Sequence, residues 1–145
     1  MNSEQQHFKN SRITSIGAPR DCPFCTLPAN RIVEENSHGV VILDAYPVSP
    51  GHSLVIPKRH VGSFFDVTVL ERAALLALLD RAKERVAEQH RPDGYNIGIN
   101  DGPSAGQTVP HLHIHLIPRY DGDQVDPRGG IRWVIPQKAD YWTGR

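Results

Sequence analysis

A chain of 145 residues suffices for one domain that buries about two-thirds of its surface. Sixteen basic and sixteen acidic side chains cancel, which argues against nucleic-acid polymers and membrane surfaces as partners, since both call for a positive field. No apolar run reaches the ~20 residues that cross a bilayer and no signal-peptide core is legible near the start, so a cytoplasmic location is expected.

Residues 1–20 are polar and aperiodic and are expected to form a loose arm. Cys22-Pro23-Phe24-Cys25 follows and holds both cysteines of the chain. In a reducing compartment such a pair points to metal binding or redox chemistry rather than a structural disulfide. A redox pair needs a preceding strand and a following helix, and neither is legible. A zinc knuckle needs two histidines, because no cysteine remains. Two buried thiols would read the same way.

Arg31–Glu35 and Val40–Asp44 are short apolar runs around Asn36-Ser37-His38-Gly39, the pattern of a β-hairpin. His52–Pro57 reads as a third strand, ending at Lys58-Arg59-His60. Thr68-Val69-Leu70-Glu71 fits a capping box. Leu70, Ala74, Leu75, Leu78, Leu79, Ala82 and Val86 then recur at helical spacing and predict one long helix, stopped at Pro92-Asp93-Gly94. Tyr95–Asn100 alternates as a fourth strand. Ile131–Ile135 is read as a sixth short strand or an extended segment, and Trp133 and Trp142 as packing aromatics or as closure of a ligand pocket, within the chain or across a dimer interface. Short antiparallel strands with one long helix make an α+β domain.

Between the fourth strand and the next run lies Asn100-Asp101-Gly102-Pro103-Ser104-Ala105-Gly106-Gln107-Thr108, a loop by composition. Its amides and short polar side chains suit phosphate oxygens, and by itself the loop reads equally as an ordinary surface turn. It leads into His111-Leu112-His113-Ile114-His115-Leu116-Ile117. This alternation has the strand period, so the three imidazoles share one face over roughly 13 Å while the aliphatic residues enter a core. An apolar face would serve burial better, so the ridge is read as functional.

The run resembles the histidine triad family, whose pattern is His-φ-His-φ-His-φ-φ with φ aliphatic, at every position. The loop Asp101–Val109 is similar to the branch containing the fragile histidine triad proteins and their bacterial relatives. The resemblance spans roughly residues 20–120 and divides the chain into an arm (1–20), a histidine triad domain (21–120) and a C-terminal extension (121–145) packed on the domain or on a partner subunit. It implies a mainly antiparallel five-stranded sheet with a long and a short helix, usually joined edge to edge in a homodimer.

The same resemblance implies a nucleotide hydrolase or transferase acting on dinucleoside polyphosphates or nucleoside phosphoramidates. His113 would be the nucleophile, His115 a donor to a nonbridging oxygen, and His52 a relay member. Asp44 would hold the ribose, while Gln107, Thr108 and Asn100 would meet the phosphates. Zinc-containing members imply a structural zinc on Cys22, Cys25, His60 and His111, with no organic cofactor. Two competing readings remain: a nucleotide-binding sensor or adaptor with incidental turnover, and a zinc hydrolase with an open coordination position on the same histidines.

Overall fold

The computed structural model describes residues 21–144; the expected N-terminal arm lies outside them. Five strands are formed: β1 (Ile32–Glu35), β2 (Gly39–Leu43), β3 (Ser53–Pro57), β4 (Gly94–Gly98) and β5 (Ile114–Arg119). They pair antiparallel in the order β1-β2-β3-β5-β4. The long helix α1 (Val69–His90) and the short α2 (Pro136–Ala139) complete the α+β fold.

The β1–β2 turn is set locally. Asn36 Oδ1 accepts from the His38 and Gly39 amides, which folds the chain back. At Gly39 a Cβ would meet methyl carbons of Leu75 and Leu78 at 2.9 Å, so the bare backbone lets α1 lie close on β2. The capping box forms as expected: Thr68 accepts from the Glu71 amide, and Glu71 accepts from the Thr68 amide.

The buried stripe of α1 is Glu71, Leu75, Leu78, Ala82 and Val86. Leu70, expected in that stripe, is 71% exposed. The reason is angular, since the first-turn position four residues before Leu75 is Glu71, whose carboxylate is satisfied by Arg59 and the cap.

Each face of the sheet has its own core. Val41, Val55, Leu112, Ile114 and Leu116 pack with the α1 stripe. On the opposite face Val40, Ile42, Leu54 and Ile56 are covered by Phe24, Leu27 and Ile32. The Cys-Pro-Phe-Cys segment thus roofs the face away from the helix.

The expected sixth strand is a 3₁₀ helix, Gly130–Val134. Gly129 and Gly130 both take positive φ (93° and 44°), which coils the chain. Its amides therefore bond back three residues, Arg132 to Gly129 and Ile135 to Arg132. The outer edges of the sheet are β1 and β4.

Candidate active site and metal centre

The three imidazoles do not form a continuous ridge on a strand, because β5 begins only at Ile114. His111 and His113 lie in the lead-in, where the Leu112 amide donates to the Val61 carbonyl at 2.7 Å. The lead-in splits the run into two centres.

At the first centre the His111 ring is fully buried, and its Nε2–H donates to the Pro57 carbonyl at 2.8 Å. A carbonyl only accepts, so Nδ1 keeps its lone pair. That nitrogen lies 3.4 Å from Cys22 Sγ, 3.4 Å from Cys25 Sγ and 3.1 Å from His60 Nδ1. All four ligand atoms fall within 4.8 Å of one another. Burial, with Cys22 alongside, pushes the Cys25 thiol up to about 12, and burial pushes His111 down to about 4. Two thiols and two imidazoles whose sulfur and nitrogen atoms converge on one point are the donor set of a closed tetrahedral zinc site. The residues present fit that ion.

The second centre is a relay. The Val48 amide donates to His52 Nδ1 at 3.2 Å, which leaves the His52 proton on Nε2. That nitrogen sits 2.9 Å from His115 Nδ1 and 3.4 Å from Asp44 Oδ2. When it donates to His115, the proton of His115 is placed on its own Nε2. Burial, helped by the neighbouring histidines, pushes His115 down to about 4; burial also lowers His52, opposed by Asp44.

His113 is ordered separately. Its Nδ1 lies 2.8 Å from the His111 carbonyl and must donate there, so Nε2 carries the lone pair. The Phe24 ring meets it edge-on at 5.1 Å, and the His115 ring does so at 5.0 Å.

A cavity of about 490 Å³ opens over these rings. His52, His113 and His115 line it together with Asp44, Asn100 and Thr108, while Phe24, Leu27, Ile42 and Leu54 form an apolar end. Gln107 is not among the lining residues, against expectation. Its Oε1 accepts from the Gly102 amide and its Nε2 donates one of its two protons to the Gly62 carbonyl, which anchors the side chain at both ends inside the protein. Gln107 therefore braces the Gly-rich loop. Glycines at positive φ, Gly102 at 98° and Gly106 at 90°, let that loop turn.

Asp101 and Phe24 were not legible as site residues from the sequence. Asp101 accepts from Ser63 Oγ and the Phe64 amide, both at 2.9 Å, and ties the loop to the segment after His60. Nothing near it in the sequence signals that tie. Phe24 carried the better hint, since a residue between two candidate metal-ligating cysteines is held beside whatever they brace.

The family model for the HIT domain matches residues 27–122, which include the relay, the loop and the lead-in. The chain belongs to the HIT domain family. The chain is 42% identical over 123 residues to the AP-4-A phosphorylase of Mycobacterium tuberculosis, covering 79% of this chain and 63% of that protein. It is 33% identical over 119 residues to a bis(5'-adenosyl)-triphosphatase of Saccharomyces cerevisiae, covering 81% and 55%. This HIT chain thus spans somewhat over half the length of these curated relatives. Among solved structures it resembles a Zn-bound histidine triad family protein from Mycobacterium smegmatis, with TM-score 0.65, 39% identity, and coverage of 73% and 80%. Among the described residues no helix is long and apolar enough to cross a membrane.

Proposed function

We propose that this HIT protein cleaves the α-phosphate linkage of dinucleoside polyphosphates through a nucleotidyl-His113 intermediate. One observation carries the reading: Nδ1 of His113 is committed to the His111 carbonyl, which leaves a lone pair on Nε2 of a ring that lines the cavity. A neutral imidazole nitrogen so placed is a competent nucleophile toward phosphorus. It attacks the α-phosphorus, the P–O bond to the remaining phosphate chain breaks, and water later displaces the histidine to release a nucleoside monophosphate.

Phosphoryl-type transfer is catalysed mostly by alignment and by donors around the equatorial oxygens. His115 Nε2–H, fixed by His52, supplies one donor to a nonbridging oxygen, and Thr108 and Asn100 supply others. Asp44 takes the ribose diol; one of its oxygens already accepts from the Tyr46 amide at 2.8 Å, which orients the carboxylate. The base lies at the apolar end against Phe24 and Leu27. Zinc held by Cys22, Cys25, His60 and His111 would supply structural bracing, since a closed four-ligand shell has no position for a reacting water. The names of the two curated relatives favour dinucleoside polyphosphates over phosphoramidates as the substrate class.

The open-site zinc hydrolase reading fits less well. Asp44, His52 and His115 do cluster, but the Val48 amide aimed at His52 Nδ1 puts a proton on the nitrogen that would have to bind metal. The sensor reading is separated by kinetics. His113→Ala is expected to lower kcat by more than ~10³-fold, about 4 kcal/mol of barrier, while affinity for a dinucleoside polyphosphate changes only a few-fold. Turnover that survives the substitution contradicts the nucleophile assignment.

A further inference from the structure

The sheet face that carries His115 continues beyond it. Along β5, Ile114 and Leu116 pack toward α1, so His115, Ile117 and Arg119 stand on the opposite face. The register sets Gly98 opposite His115, Asn96 opposite Ile117 and Gly94 opposite Arg119. A second cavity of about 620 Å³ opens on this face, with Asn96, Ile117, Ile131, Trp133 and Val134 in its wall. Ile117 follows His115 by two residues, about 7 Å along the strand.

The 3₁₀ segment Gly130–Val134 roofs that cavity. Ile131 Cδ1 lies 3.6 Å from where a Cβ on Gly98 would stand, and Asn96 Nδ2 lies 3.1 Å from that of Gly130. Gly98 faces His115 across the ladder, so Ile131 marks the seam between the second cavity and the catalytic one. The indole of Trp133 is held by its Nε1–H, which donates to the Arg128 carbonyl at 2.8 Å, and the residue is 47% exposed.

Charge in this wall is spent. Asp123 takes two 2.8 Å bonds from Arg119, and Asn96 Oδ1 accepts a third at 2.7 Å. Asp126 pairs with Arg128 at 2.9 Å. A near-neutral cavity with an indole and aliphatic side chains suits a base and ribose and offers little to a phosphate chain.

We infer that the second cavity holds the nucleoside of the leaving half of a two-nucleoside substrate, with Trp133 as its stacking platform. This rests on the dinucleotide reading of the catalytic cavity and adds to it where the far nucleoside goes. The phosphates then cross the seam beside Ile131, past the His115 donor.

The test is calorimetry on His113→Ala protein with two ligands of equal phosphate number, diadenosine tetraphosphate and adenosine 5'-tetraphosphate. The two-nucleoside ligand is expected to bind about tenfold tighter, the size of one base stacked on one aromatic ring. Adding Trp133→Ala should shrink that ratio to within about twofold, and Trp133→Phe should keep most of it. Val134→Arg, which fills the cavity without removing the indole, should shrink it as well. An unchanged ratio in Trp133→Ala, or no preference in the parent, overturns the assignment. If His113→Ala protein still turns over substrate, the histidine mechanism falls, and the affinity ratio judges the second cavity alone.

Discussion

In the proposed mechanism two ring nitrogens carry the chemistry, and each is set by the partner of the other nitrogen in its ring. The His111 carbonyl fixes His113 as a lone pair at Nε2, and the chain Val48–His52–His115 fixes His115 as a donor at Nε2. The proposed donor and the proposed nucleophile differ only in what stands behind them. Burial keeps His115 neutral down to about pH 4. In the unfolded chain it takes up a proton near pH 6.5. Stability is therefore expected to fall as pH drops below 6.5, because the unfolded state gains a proton that the folded ring refuses. This contribution stops growing below about pH 4. Denaturant unfolding of wild type and His115→Asn between pH 7 and pH 4 checks it; equal slopes in the two proteins would contradict it.

The helix and the strands were legible in the sequence because their signals are local. A capping box spans four residues, and the α1 stripe repeats within each turn. Thr68→Ala is expected to cost about 1 kcal/mol and Leu75→Ala about 2–5 kcal/mol, both read by denaturant midpoint; a smaller loss at Leu75 than at Thr68 would contradict the packing described. Other features were not legible, for physical reasons. Ile131–Ile135 is an apolar run that satisfies a strand or a coiled turn equally, and the glycine pair before it decided the outcome. Gln107 reads as a phosphate contact, and its tie to the Gly62 carbonyl, 45 residues earlier, is a long-range bond that no local pattern signals. The four-residue candidate metal cluster required the family pattern, because spacing alone could not join Cys22 and Cys25 to His60 and His111.

Across the whole molecule, the candidate metal cluster and the proposed catalytic cavity share one piece of structure. Cys22 and Cys25 hold the turn that carries Phe24, and the Phe24 ring touches both His111 and His113. The same segment covers the sheet face away from α1. Chelation of zinc is expected to lower Tm by about 10 °C or more and to weaken nucleotide binding, since the roof of the apolar end is released. Thermal melts and nucleotide titrations with and without chelator check this; a protein indifferent to chelation in both would contradict the bracing role. The nucleophile itself is tested most directly by mass spectrometry of protein quenched with acid-avoiding denaturant during turnover of a dinucleoside polyphosphate. A nucleoside monophosphate added to the peptide containing His113 is the predicted result. An unmodified His113 peptide under conditions where substrate is being consumed, or an adduct on a different residue, would contradict it.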